Sequence, residues 1–406
     1  MSDVLTFARQ GPDGPKLRIG LLRLTDSAPV IAAHEFGFFA DEGVEAELLV
    51  EPSWANIADK LTYGFIDAAV IMPPLAFAIE LGVRGMARPL VIPYILSMGG
   101  NSITLAPALA GQVKARVAQG GASTLEALAA ALRAETMTLG VVHAYSTHNL
   151  LLRYWLAMAG ITAGRNVMLS VVPPTRAVEA LSQGRIAGFC AGAPWGEIAQ
   201  RSGAGTTVAT SCDIWRHAPE KAFAVSARWA TAQPEALSGV LRALQRASRF
   251  CDDPQNATYT AALLSRRKYI DVNAHAILAG LPGGAIGRAS SGVFFGGAAT
   301  FPFLSHGLWF LTEMRRWGMI SDTIDPRDLT MRVYRPDLYR AALAPLGESV
   351  PVQDWKTEGA HTGPWTLQAE PAPIAMPADS FCDGAVFDPD AVPNIARLSE
   401  GAVHNF

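Results

Sequence analysis

Residues 16–73 read KLRIGLLRLTDSAPVIAAHEFGFFADEGVEAELLVEPSWANIADKLTYGFIDAAVIMP, and the rhythm of this stretch decides the fold. KLRIGLLRL (16–24), VEAELLV (44–50) and AAVIMP (68–73) are apolar runs of strand length. Between them lie SAPVIAAHEFGFFADEG and WANIADKLTYG, whose apolar residues recur at helical spacing. A βαβαβ order of this kind predicts parallel strands with helices on both faces.

The rhythm continues outward. PLVIPYIL leads to NSITLAP (101–107), and after a Gly/Ala-rich connection the pattern restarts with MTLGVV (137–142). A helix over 147–159, VMLSVVPP (167–174), the helix TRAVEALSQG and AGFCAGAPW (187–195) complete a second α/β unit. KAFAVSARW (221–229) predicts a strand that carries the chain back out of it, and helical segments at 233–251 and 306–318 follow. The Pro-rich, aperiodic stretch 345–380 predicts an extended segment laid over a lobe.

A chain of 406 residues exceeds what one hydrophobic core supports, which is consistent with two units. Half of the residues are hydrophobic and 17% are charged, as in a well-packed globular protein. Lys and Arg number 33 against 36 Asp and Glu, with no basic cluster among aromatics, so no direct nucleic-acid contact is expected. The cysteines at 190, 212, 251 and 382 form neither a C-x-x-C pair nor a zinc spacing, which predicts reduced thiols and no metal. The opening segment has only a five-residue apolar stretch, and no run approaches a membrane span. A cytoplasmic protein without membrane association is the expectation.

Ligands of open α/β sheets bind beyond the carboxyl ends of strands, where helices begin. Three helix starts qualify, at Ser53-Trp54-Ala55-Asn56, Ser146-Thr147-His148-Asn149 and Pro173-Pro174-Thr175. Each offers free backbone N–H groups to an anion, although plain capping by Ser53, Ser146 and Thr175 accounts for each one singly. His148 adds an imidazole just past its cap, and Trp54 an apolar wall with one indole N–H. Lys221 opens an apolar strand, which places its ammonium at the strand mouth, toward solvent or a cleft. Catalytic signals are thin: no nucleophile elbow, metalloprotease motif, dinucleotide fingerprint or phosphate loop occurs. A Cys190–His148 nucleophile pair is the one alternative, and AGFCAG around Cys190 reads better as strand packing.

With these residues assembled, the chain resembles the nitrate-binding subunits of bacterial ABC importers and their soluble relatives, the NasS-type nitrate/nitrite sensors. The marks are LTDSAPVIAAHEFGFFADEG, SWANIADKL, STHNLLLRYWLAMAGI, VVPP, APWGEIAQ, WRHAPEKAFAV and SHGLWFLTEMRRWGMI, spread over about residues 17–390. The resemblance implies a two-lobed, periplasmic-binding-protein-like α/β fold (type II, Venus-flytrap). Its divisions are expected at 16–105 (first lobe), 106–222 (second lobe), 223–345 (return to the first) and 346–406 (an extended segment over both). It implies nitrate or nitrite between the lobes, held by Trp54, Asn101, Thr147, His148 and Lys221, with no cofactor, no metal and no catalysis. The transport proteins carry glutamine where this chain has Asn101. Relatives also tend to read Gly-Glu-Pro-Trp where Gly192-Ala193-Pro194-Trp195 stands, and both departures bear on which anion is preferred. Lys221 points to the nitrate branch rather than to the bicarbonate-binding relatives. With the cytoplasmic expectation, the resemblance implies a sensor that holds an ANTAR-type, NasT-like RNA-binding antiterminator and releases it when the anion closes the lobes. The alternative is the substrate-binding subunit of an importer. A third class, an enzyme such as the pyrimidine synthase of thiamine biosynthesis, lacks its cysteine-rich run here.

Overall fold

The computed structural model describes residues 16–83, 85–283 and 292–392. The opening segment, read above as lacking an apolar signal core, and the end of the C-terminal segment lie outside the described residues.

Ten strands build two five-stranded sheets: β1 (Lys16–Leu21), β2 (Glu45–Val50), β3 (Ala68–Ile71), β4 (Leu90–Met98), β5 (Asn101–Leu105), β6 (Met137–Val141), β7 (Val167–Val171), β8 (Gly188–Gly192), β9 (Thr206–Thr210) and β10 (Pro219–Ser226). The first sheet has the order β2-β1-β3-β10-β4 and the second β7-β6-β8-β5-β9. In the first, β1 runs parallel to β2 and β3, while β10 is antiparallel to β3 and β4. In the second, β6 runs parallel to β7 and β8, while β5 is antiparallel to β8 and β9. The two sheets therefore share one plan, and the antiparallel strand inserted in each is a strand that has just crossed from the other unit.

The crossings fall elsewhere than the expected division at 105. Gly99 and Gly100, both with positive φ, turn the chain between β4 and β5, so residues 101–105 pair in the second sheet. The return likewise begins at Pro219 rather than after residue 222, because β10 pairs with β4 from Pro219 onward. Apolar periodicity locates strands but does not reveal which sheet a strand joins.

Local chemistry explains how the helices near the crossings are set. Ser53 caps the helix Trp54–Thr62 by accepting from the Asn56 N–H, and Ser146 caps Thr147–Met158 by accepting from the Asn149 N–H. Thr175 caps nothing: its helix begins at Pro174 with no side-chain cap, a position proline suits because the missing N–H would have had no partner. The helix Trp54–Thr62 lies close over β1 at Gly20, where an added Cβ would stand 2.8 Å from Ile57 Cδ1 and 2.6 Å from Ile66 Cδ1. One buried apolar cluster runs from Trp54, Ile57 and Leu75 in the first unit to Leu139, Leu151 and Phe189 in the second.

The C-terminal segment is extended and crosses both units. Val350–Pro351 pairs with Ala369–Glu370, and Trp365–Leu367 with Ile374–Met376. Arg340 donates to the Pro351 carbonyl at 2.8 Å on the first-unit side. On the other, Phe381 stacks on Trp215 with centroids 4.7 Å apart, and the Tyr154 hydroxyl donates to Asp383 at 2.8 Å. Among the described residues no helix is long and apolar enough to cross a membrane.

Candidate anion site

The structure brings the five residues singled out in the sequence into one buried cluster, and a carboxylate that sequence reading missed stands at its centre. Glu220 Oε2 accepts from Asn101 Nδ2 at 2.6 Å and from the Thr147 hydroxyl. Glu220 Oε1 accepts from Lys221 Nζ and lies 3.6 Å from His148 Nε2. Lys221 Nζ also contacts Asp26 Oδ2 at 2.9 Å and sits 5.4 Å from the centre of the Trp54 ring. Lys221 is 0% exposed and Glu220 1%, so these charges lie away from bulk water.

Each element delivers its side chain for a local reason. Asn101 opens β5 directly after the glycine turn, and the capped helix start presents Thr147 and His148 with its whole first turn buried. Adjacent residues of a regular strand point to opposite faces. Here the β10–β4 register shifts on both sides of Lys221, a bulge that turns Glu220 and Lys221 toward each other. Lys221 is consequently inside the protein, not at a solvated strand mouth.

The electrostatics follow from burial and pairing. Burial raises the Glu220 pKa, but Lys221, His148 and Thr147 outweigh it and hold the carboxyl below its ordinary value. For Asp26 burial prevails over the attraction of Lys221, and its pKa is raised. Burial works against the charged form of Lys221, yet Asp26 and Glu220 raise its pKa overall, so the ammonium stays charged. Burial lowers His148 to about 4, with Lys221 adding to the shift and Glu220 opposing it, so the imidazole is neutral near pH 7.

The unfolded chain binds a proton at His148 below about 6.5, whereas the folded protein resists until about 4. Stability is therefore full above the upper value and falls by about 3 kcal/mol as pH drops to the lower. Urea titrations at pH 7, 5.5 and 4 check this, and His148→Gln flattens that part of the profile.

Several buried polar atoms here have no hydrogen-bond partner: Trp54 Nε1, His148 Nε2, Asn101 Oδ1 and Asp26 Oδ1. Asp26 also lines a small cleft with Thr25, Ser97 and Gly100, where Thr25 Oγ1 and Ser97 Oγ are unpartnered as well. Buried polar atoms are nearly always satisfied, so such a concentration sets this cluster apart from the apolar interior around it. Cys190 is unsuited to nucleophilic work, since burial and then Glu220 push its thiol well above the usual range, the reverse of what a thiolate needs. Among the described residues no group of His, Cys, Asp or Glu is arranged to hold a metal ion.

Two α/β units with matched sheets, joined by crossing strands and enclosing a buried polar cluster at the crossings, define a two-lobed fold of the periplasmic-binding-protein type. Residues 10–265 match the NMT1-like family, and the chain belongs to that family. It is similar to the nitrate/nitrite binding protein NrtA of Synechococcus elongatus, at 31% identity over 94% of this chain and 86% of that protein. The bicarbonate transport ATP-binding protein CmpC of Synechocystis sp. is 33% identical over 98% of this chain. The chain spans only about half the length of such transport ATP-binding relatives, 56% in that case. Among solved structures, the periplasmic nitrate-binding protein NrtA from Synechocystis PCC 6803 superposes with a TM-score of 0.80 at 27% identity, covering 97% of this chain and 100% of that one.

Proposed function

We propose that the chain binds nitrate or nitrite between its lobes, at the cluster of Trp54, Asn101, Thr147, His148 and Lys221, and serves as the substrate-binding component of an ABC importer. The observation that carries the reading is the pair of unpartnered buried nitrogens, Trp54 Nε1 and His148 Nε2, beside a buried ammonium. Nitrate is planar, carries one charge and accepts hydrogen bonds on three oxygens, so it calls for one cation and several directed donors. Lys221 is the cation. The Trp54 indole, the Asn101 amide, the Thr147 hydroxyl and the Nε2–H tautomer of His148 are the donors. The relatives' named roles, nitrate and nitrite binding in one branch and bicarbonate transport in the other, support a small oxyanion as the guest.

Equilibrium calorimetry of the purified protein with nitrate, nitrite and bicarbonate tests the proposal. Binding of nitrate or nitrite in preference to bicarbonate is expected, and bicarbonate binding alone would move the chain to the other branch. The same site also suits the sensor reading, in which an antiterminator partner inside the cell is released by the anion. The relatives are named for bicarbonate transport and for periplasmic nitrate binding, which favours transport. The two readings part in a deletion strain, where transport predicts lost nitrate uptake and the sensor predicts altered expression of nitrate-assimilation genes with uptake machinery intact.

A further inference from the structure

The contacts of Glu220 raise a question that the proposed function leaves open. Four of the five groups assigned to the anion already face this one carboxylate: Lys221 and His148 on Oε1, Asn101 and Thr147 on Oε2. The carboxylate group resembles nitrate in being planar, singly charged and an acceptor of hydrogen bonds. The position is thus held by an anion of the protein's own, in contact with the same donors that a guest would need.

Lys221 is already contacted by two carboxylates, Glu220 and Asp26, and the remaining titratable groups facing Glu220 are neutral, His148 on its helix and Cys190 on β8. Adding an anion to one ammonium and two carboxylates, with Lys221 and Glu220 buried and Asp26 largely so, carries a steep electrostatic cost. A proton on the carboxylate pair removes one negative charge and turns an acceptor into a donor able to face the guest. Asp26 has an oxygen available for it: Oδ1 is buried, unpartnered and belongs to a residue lining the small cleft. The upward shift of Asp26, which burial causes and the neighbouring Glu220 reinforces, agrees with this.

We propose that Glu220 is a built-in competitor that fills the anion position of the free protein, and that an external oxyanion enters by displacing its carboxylate together with uptake of one proton by the Glu220–Asp26 pair. This rests on the oxyanion-binding reading above. The proton belongs to the coupled pair, not to either residue alone. Its two consequences are that affinity weakens as pH rises, about tenfold per unit where one proton is taken up, and that the glutamate itself limits affinity.

The test is calorimetry of nitrate binding from pH 6 to 9 in buffers of different ionisation enthalpy, which counts protons directly. Nitrate is the probe because it carries no exchangeable proton in this range. Uptake of about one proton by the wild-type protein is expected. Glu220→Gln, which keeps the shape and removes the charge, is expected to bind more tightly at pH 8 and to lose most of the pH dependence. Wild-type binding with no net proton exchange, or Glu220→Gln binding no more tightly at pH 8, overturns the displacement mechanism and leaves the oxyanion reading standing. If neither protein binds nitrate or nitrite, that reading itself fails and the mechanism with it. The wild-type proton count does not depend on the variant's folding.

Discussion

Replacing Lys221 by methionine is expected to abolish nitrate and nitrite binding and to destabilise the protein by about 3–5 kcal/mol at pH 7. The ammonium contacts the largely buried Asp26, 11% exposed, at 2.9 Å and also the fully buried Glu220. Without it two carboxylates remain close together with no counter-charge, and leaving a buried ion unpaired costs more than the pair itself contributes. The variant is expected to recover part of its stability on acidification, because protonating one carboxylate relieves the repulsion. The double variant Lys221→Met, Glu220→Gln separates the two roles of the lysine. With the Glu220 charge also gone, most of the stability returns, while anion binding stays absent because no cation is left. Urea midpoints and calorimetry on the three proteins check this, and a double variant that still binds nitrate would remove Lys221 from the site.

The second large effect lies on the C-terminal segment. Glu358 is 0% exposed, accepts from Ser305 and Lys356, and lies 3.4 Å from His306 Nε2. Lys356 also approaches Asp379 at 3.4 Å, so one ammonium lies between two carboxylates here too, both of them buried. Burial opposes ionisation of Glu358, but Lys356 and His306 prevail and hold its pKa at about 2, against an ordinary 4.5. The folded value lies below the unfolded one, so this contribution is full above pH 4.5 and is lost as pH falls through about 2. The difference corresponds to about 3 kcal/mol. Glu358→Gln is expected to lower stability at pH 7 by about that amount and to remove this step from the acid limb of the profile. Because Ser305 and His306 begin the helix Leu304–Arg316, the same variant tests how firmly the extended segment is fastened to the body. An unchanged urea midpoint would show that the segment is held by its other contacts, such as Phe381 on Trp215.

Much of the fold was legible because it depends on periodicity and on caps. Strand-length apolar runs located β1, β2, β3, β6 and β8, and Ser53 and Ser146 marked two helix starts correctly. What escaped were features set by non-local pairing. The strand Thr206–Thr210 is short and polar enough to read as a loop, and it exists because β5 pairs with it. The helices Pro107–Ala118 and Thr124–Ala134 lay inside what read as a Gly/Ala-rich connection. The side on which β5 and β10 pair, and hence both points of crossing, is invisible to a one-dimensional pattern.

At the site the same division holds. Trp54, Asn101, Thr147, His148 and Lys221 were found by type, position and resemblance, and the structure brings them together. Glu220 was missed because strict alternation sends the neighbour of Lys221 to the opposite face, and only the bulge turns both inward. Asp26, in a short turn before the first helix, gave no signal apart from its charge. A rule that buried lysines bring their own carboxylates would have directed attention to the Pro219-Glu220-Lys221 run.

The most direct test of the account is a crystal structure of the protein grown with nitrate. The expected result is a planar ion beside Lys221 Nζ, within hydrogen-bond distance of Trp54 Nε1 and His148 Nε2, with the Glu220 carboxylate withdrawn from Asn101 and Thr147. A structure at saturating nitrate in which Glu220 keeps all four contacts and no ion lies among these residues would contradict it.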